Sequence, residues 1–249
     1  MDVQYIQHYG DDLIVCNAAR VSFDKKSDWE IVGYDEEYDE DDRAVFSFPI
    51  RKLSTKDEKL IHYLAKHKHA SCFEHMGATL KLKVPIFIAR QIQRHRTFSF
   101  NEISRRYVDG PPEFFWPDKW RKRADNVKQG SSDEEVKVFG ESWGFDLTTE
   151  DFEATDTVQG AAEHTLAHAV YTYGKMLQAG VAPELARIIL PQNLYTEMYM
   201  SGNLRAWTHF LHLRLDGHAQ AEVREVAKMV EEILTPLFPV SMKALLGGT

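Results

Sequence analysis

Cysteine is scarce in this 249-residue chain. Cys16 and Cys72 are the only two, far apart and outside any C-x-x-C pattern, which argues against a disulfide framework or a cysteine-rich zinc module; both are expected to be buried as small hydrophobes. Long apolar runs are missing too. None approaches the roughly 20 residues that span a bilayer, and the polar start MDVQYIQHYGDD lacks the apolar core of a signal peptide. The expectation is a cytoplasmic protein with no membrane partner. Nor is there an excess of positive charge: the net charge is -8 and the pI near 5.8. No global field therefore draws the chain to nucleic acid or anionic lipid, and any polyanion site has to be local. Glycine-rich phosphate loops, an H-E-x-x-H pattern and internal repeats are also absent.

With 43% hydrophobic and 27% charged residues, the chain has enough apolar surface for one large globular domain or two small ones. Leu13 to Val15 read as a short strand, followed by an Ala-rich helical turn capped at Asn17. A polar excursion spans about 24–52. Within it Asp35 to Asp42 carry seven carboxylates in eight positions, a self-repelling run that favours an extended solvated loop. Thr55-Lys-Asp-Glu58 reads as a capping box opening a helix that ends near His67. Ala78, Leu80, Leu82 and Val84 alternate with polar residues as a half-buried strand, and Pro85 suits the first position of a helix leading to Arg94. A polar stretch of about 118–157 precedes a long helix, Val158 to Ala179, stopped by Gly180. Pro183 opens a helix ended by Pro191. Leu194 to Met200 read as a strand, Asn203 caps a helix through about Leu213, and a last helix covers Ala219 to Leu234. Few strands beside long helices indicate α+β, with an antiparallel or mixed sheet.

The densest chemistry lies between Gln91 and Tyr107, where Arg94, Arg96, Arg105 and Arg106 accompany His95, Ser104 and Glu102. Such crowding of guanidinium groups is costly unless anions neutralise it. On a continued helix Gln91, Arg94 and His95 would share one side; in an extended segment Ser104 and Arg106 would face the same way. Phe98, Phe100, Ile103 and Tyr107 interleave with the arginines and suggest a lined cleft. The alternative is a solvated basic face paired with the acidic run.

RHRTFSFNEISRRY, an R-H-R followed seven residues later by Ser104, closely resembles the signature of the flavin-dependent thymidylate synthases. HASCFEH and PIFIARQIQRHR before and through it, and ARIILPQNLYT and NLRAWTHFLHLRLDGHAQAEVR after it, resemble family blocks in the expected order and cover most of the chain. The resemblance implies one domain over 1–249, with insertions at about 24–52 and 118–157. It further implies reductive methylation of dUMP to dTMP, with methylenetetrahydrofolate as carbon donor and NADPH-reduced FAD as hydride carrier, in a homotetramer whose active sites are shared between subunits.

Carried over residue by residue, the resemblance implies that Gln91, Arg94, Glu102, Ser104, Arg105, Arg106, Arg187 and Arg214 hold dUMP. Arg214 is the catalytic member: a cation against the uracil imide stabilises its deprotonated form and makes the ring nucleophilic. Glu102 would accept a hydrogen bond from a hydroxyl while orienting neighbouring guanidinium groups, or serve simply as an ion-pair partner. FAD would be held by Ser71, Glu74, Arg94, His95, Arg96, Glu102, Asn203, Arg205 and His209, with Ser22, His69, Leu213 and His218 as weaker candidates. No metal is expected. Two rival readings remain: a metal-dependent hydrolase built on His62, His67, His69, Glu74, His75, Glu163, His164 and His168, and a single-strand nucleic-acid binder using the arginines and aromatics.

Overall fold

In the computed structural model residues 1–38, 44–108, 110–125, 131–138 and 157–247 are described. The chain enters through a strand, β1 (Asp2–Tyr9), and turns at Gly10 into a helix, α1 (Asp12–Arg20). This corrects the strand expected at Leu13 to Val15. The Asp11 carboxylate accepts from the Leu13 and Ile14 amides at 3.0 and 3.2 Å, so the helix is capped before the apolar triplet begins. Asn17, expected as the cap, sits mid-helix; its side-chain amide donates to the Ser27 carbonyl and accepts from the Ser27 amide.

The polar excursion is a second correction: its described residues form an antiparallel hairpin of β2 (Glu30–Tyr38) and β3 (Ala44–Lys52). Ile31, Val32, Tyr34, Phe48 and Ile50 fit a pleated ribbon, and that preference outweighs the surrounding charge. Residues 39–43 of the acidic run lie outside the described residues. Next comes α2 (Thr55–Lys66), capped one residue earlier than expected. Ser54 Oγ accepts from the Asp57 amide at 3.1 Å and donates to Asp57 Oδ2 at 2.8 Å, so the capping box runs from Ser54 to Asp57. Buried Asp57 also accepts from Ser27 Oγ at 2.8 Å and from Arg20 at 2.5 Å, which ties α1 and the segment after it to α2.

The expected alternation then appears in β4 (Gly77–Pro85), whose last residue is Pro85; the proline precedes the helix α3 (Ile86–Ile92) rather than opening it. A strand, β5 (Ser99–Glu102), follows. The polar stretch contains a small antiparallel hairpin, β6 (Arg121–Arg123) with β7 (Ser131–Glu135), which leucine-poor sequence did not announce; 126–130 and 139–156 lie outside the described residues. The long helix α4 (Val158–Gln178) ends before Gly180, which takes the left-handed conformation (φ 86°) that glycine allows. A short α5 (Pro183–Ala186) leads through a 3₁₀ turn to β8 (Tyr195–Asn203), and then to α6 (Leu204–Arg214), capped by Asn203. The final helix runs on as α7 (Ala221–Leu237), and an eighth helix not foreseen from the sequence, α8 (Pro239–Leu246), completes the chain's described part.

The main sheet is antiparallel, in the order β1-β4-β8-β5. Register pairs Leu80 with Met200 and Leu82 with Met198, so one face is largely apolar, with Thr196 as a buried polar member, and is packed against α3, α6 and α7. Each such side chain stabilises the fold by roughly 1.5–3 kcal/mol. The opposite face carries Thr79, Lys81, Lys83, Glu197 and Ser201, tied by a Lys81–Glu197 ion pair at 2.6 Å and a Thr79–Ser201 hydrogen bond at 2.8 Å. Among the described residues no helix is long and apolar enough to cross a membrane.

Candidate active site

The arginine-rich segment follows α3, and α3 stops at Ile92. Gln91, Arg94 and His95 therefore do not share a helix face. Arg94 and Arg96 point to solvent, while His95 between them is only 6% exposed. Its ring lies 5.1 Å from that of Phe210, 6.0 Å from His209 and 6.5 Å from Phe98. Phe98 is fixed in turn by Trp207, with ring centroids 4.7 Å apart, and by Gly202, where an added Cβ would stand 2.5 Å from the phenyl ring. A glycine is needed there so that the segment after His95 can lie flat against β8.

Arg214, at the last turn of α6, completes the arrangement. Its Nε donates to His95 Nε2 at 3.0 Å and its Nη2 donates to the Gln91 carbonyl at 2.9 Å. Burial, then the Arg214 charge and His209, push the His95 pKa down from 6.5 to about 4. The imidazole is therefore neutral near pH 7 and accepts at Nε2, with its proton on Nδ1. Burial also lowers the pKa of Arg214, but a guanidinium stays charged in proteins. No carboxylate pairs with it among the described residues. The Gln91 side chain donates to Gln220 Oε1 at 2.6 Å. Gln91, Arg214 and His218 open on a cavity of about 1190 Å³, walled on its apolar side by Phe87, Trp116 and Trp120.

Other expected substrate residues line a second, smaller cavity of about 350 Å³, where Glu102, Arg105 and Arg187 meet Lys83, Tyr195 and Thr196. Glu102 accepts from Thr196 Oγ1 at 2.6 Å and from Gln93 Nε2 at 2.8 Å. The expected hydroxyl partner is there; a guanidinium partner is not found among the described residues. Arg105 donates to the Gly110 carbonyl at 2.5 Å and Arg187 to the Glu184 carbonyl at 3.3 Å. Ser104 and Arg106 do meet, but by way of a turn: the Arg106 amide and Nε both reach Ser104 Oγ at 3.3 Å. The expected apolar lining is half right. Phe98 and Phe100 pack inward, whereas Ile103 and Tyr107 are 44% and 78% exposed. Polar flanks at Glu102 and Arg105 carry this stretch away from the core, and the Arg106 guanidinium lies 5.0 Å from the Tyr107 ring centroid.

The residues expected to hold flavin gather where β8 passes into α6. Ser71 and Glu74 sit on a 3₁₀ turn (Ala70–Glu74), Arg205 pairs with Glu74, Asn203 accepts from the Ala206 amide at 2.9 Å, and His209 lies one turn on beside His95. Arg96, Arg205 and the hydroxyl and amide groups suit an anionic dinucleotide, and Glu74 is neutralised by Arg205; Glu102, the other carboxylate expected at flavin, lines the smaller cavity with Thr196 instead. Of the weaker candidates, exposed Leu213 and His218 flank Arg214, with His218 Nδ1 2.8 Å from Asp216. His69 stacks on Tyr63 at 6.2 Å, and no hydrogen bond ties Ser22 or His69 to the group among the described residues.

For the rival chemistries, no three His, Cys, Asp or Glu side chains converge to hold a metal ion among the described residues. Both thiols are free and buried; burial, with the neighbouring Asp57 charge, pushes Cys16 up to about 12, so neither is an activated nucleophile. Sequence reasoning missed Gln220, Glu222, Arg121 and the two tryptophans of the cavity wall. Gln220 and Glu222 stood inside the quoted HAQAEVR block, where their proximity to His218 was the available signal.

A family model described as thymidylate synthase complementing protein matches residues 4–240. The flavin-dependent thymidylate synthase of Thermosipho africanus is 34% identical over 247 residues, covering 98% of this chain and 90% of its own. That of Thermus thermophilus is 36% identical over 251 residues, covering 97% and 74%. Among solved structures, the UMP/dUMP methylase PolB from Streptomyces cacaoi bound with 5-Br dUMP superposes with a TM-score of 0.71 at 28% identity, covering 99% of this chain and 94% of that one.

Proposed function

The chain belongs to the thymidylate synthase complementing protein family, the flavin-dependent thymidylate synthases, and on that premise we propose that it reductively methylates dUMP to dTMP. Methylenetetrahydrofolate is the carbon donor and NADPH the reductant. The bound FAD supplies hydride chemistry; the remaining tasks fall to side chains of this protein. We read it as one synthase domain with two insertions, working in the cytoplasm as a homotetramer.

The observation that carries this reading is Arg214. Two hydrogen bonds, to His95 and to the Gln91 carbonyl, fix the guanidinium plane at a cavity, and no carboxylate neutralises it among the described residues. A uracil imide there loses its N3 proton more readily, because the cation stabilises the anion that remains. The ring C5 then becomes nucleophilic without a protein thiol, which suits two cysteines that are buried and hard to ionise. Arg94, Ser104 and Arg106 hold the phosphate, and His95, Arg96, Glu74, Asn203, Arg205 and His209 hold the flavin.

Sharing of sites between subunits is supported by the division of the expected dUMP residues. Gln91 and Arg214 line one cavity and Glu102, Arg105 and Arg187 another, so one nucleotide would meet both groups only across a subunit boundary. Purified protein with FAD should be yellow, bleach with NADPH, recover with oxygen, and release tritium from [5-³H]dUMP when the folate is added. Well-folded protein that binds no FAD would sink the proposal. Solved neighbours described as UMP/dUMP methylases include one bound with 5-Br UMP, so UMP belongs in the same assay; preference for it would make this a ribonucleotide methylase.

A further inference from the structure

The small hairpin β6–β7 is not explained by the family blocks, yet it forms a wall of the larger cavity. Lys119, Trp120, Arg121 and Ser131 all line that cavity. A three-residue strand paired with a five-residue strand is too short to hold itself in place. Its position depends on the groups that tie it to the body of the protein.

Two side-chain ties are visible among the described residues, beside the backbone links from Lys137 and Val138 to the start of α4. Trp120 Nε1 donates to Gln159 Oε1 at 2.7 Å on α4, an exposed contact. The other is part-buried: Arg121 Nη2 lies 2.6 Å from Glu222 Oε1, and Glu222 is 5% exposed in the first turn of α7. Arg121 uses its Nε as well, donating to Ser131 Oγ at 2.7 Å across the hairpin. One guanidinium therefore joins both strands of the hairpin to the start of α7. Glu222 Oε2 has no hydrogen-bond partner among the described residues, so Arg121 is the charged group that offsets burial of this carboxylate, and its loss would leave a buried charge uncompensated. Two residues earlier, Gln220 accepts from the Gln91 side chain, and the Gln91 backbone carbonyl accepts from Arg214. The start of α7 thus sets the hairpin and Gln91 together.

We propose that the Arg121–Glu222 pair is a latch that closes the β6–β7 hairpin over the cavity, making both residues positioning residues for the nucleotide bound against Gln91 and Arg214. This rests on the functional reading above. The latch keeps water from the cavity and holds its wall at a fixed distance from Arg214. Flavin, held where β8 meets α6, does not depend on it.

The test uses the FAD-loaded full chain with Arg121→Gln, Glu222→Gln and the double variant. The KM for dUMP should rise about tenfold to a hundredfold in each single variant, as expected when a bound group loses its alignment. FAD affinity and reduction by NADPH should not change, and the double variant should be no worse than the singles. Trypsin should cut after Lys122 or Arg123 faster in the variants than in wild type. An unchanged KM in Arg121→Gln, additive losses in the double variant, or FAD affinity falling in parallel with KM would each overturn the latch. Arg121 is on the hairpin rather than in the core, so its variant decides the matter if Glu222→Gln fails to fold. A wild-type protein that makes no dTMP refutes the functional reading instead; the trypsin comparison then decides the latch alone, with unchanged cutting overturning it.

Discussion

Replacing Arg214 with alanine should separate the two halves of the reaction. The guanidinium is held by His95 Nε2 at 3.0 Å and the Gln91 carbonyl at 2.9 Å, and in the proposed function it supplies the charge that stabilises the uracil anion. Loss of one preorganised donor at a developing charge costs about 10²–10³ in kcat, so dTMP formation and tritium release should fall by that factor. Flavin reduction by NADPH, followed by bleaching of the yellow colour, should keep its wild-type rate, because among the described residues expected around flavin only His95 hydrogen-bonds to Arg214, while Glu74, Asn203 and Arg205 keep contacts of their own. Two acceptors lose their donor as well. At about 1–3 kcal/mol for each buried group left unmade, and about 2–4 °C in Tm per kcal/mol for a chain of this size, melting should drop by roughly 4–24 °C. Arg214→Lys keeps the charge but cannot span both acceptors from one nitrogen, so its rate should fall between those of alanine and wild type. Parallel loss of flavin reduction and dTMP formation in Arg214→Ala, or near-normal dTMP formation, would refute this assignment.

His95 gives a pH prediction. Its pKa is depressed from 6.5 to about 4 in the folded state, so the unfolded chain binds the extra proton first and stability should fall as pH drops from about 6.5 to about 4. The full effect is about 3 kcal/mol, and guanidinium unfolding of wild type against His95→Gln across that window should show it; parallel curves would count against it. Asp57 runs in the familiar carboxylate direction. Burial raises its pKa, but hydrogen bonds from Ser54, Ser27 and Arg20 outweigh that and lower it overall, so its contribution is present above the unfolded value and lost as pH falls through the folded one. Asp57→Asn should cost about 3–5 kcal/mol, since it strands a half-buried arginine, with the loss read from urea midpoints. A Cys16→Ala, Cys72→Ala double variant should still form dTMP, and iodoacetamide should leave the wild-type rate unchanged; thiol-dependent loss of turnover would revive a cysteine nucleophile.

Much of the fold was legible where one side chain's periodicity was unopposed. β4, α4 and α6 stand within two residues of their expected bounds because alternation, a Gly stop or an Asn cap marked them. Leu13 to Val15 misled because three apolar residues in a row satisfy either a strand or a buried helix turn, and the deciding cap, Asp11, was read as part of a polar leader. The β2–β3 hairpin was hidden by its own carboxylates, whose charge says solvent and nothing about backbone pairing. Site residues were legible as a list rather than as a geometry. The hydrogen bond from Arg214 to His95 spans 119 positions, and no local pattern announces it. Arg121 and Glu222, 101 apart, were invisible for the same reason.

The three-residue R-H-R run has one further consequence. A tight turn sends its neighbours outward and its middle residue in, so the motif is two solvent-facing arms, which the proposed function assigns to ligands, joined by a rivet driven into the protein's interior. Selection therefore acts on the three positions through different currencies of failure. In a saturation library scored for both soluble yield and thymidine-free growth, changes at Arg94 and Arg96 should leave yield intact and abolish growth. Most changes at His95 should lower yield first, and a sequence that keeps both arginines but loses the histidine should accumulate poorly whatever ligand it is offered.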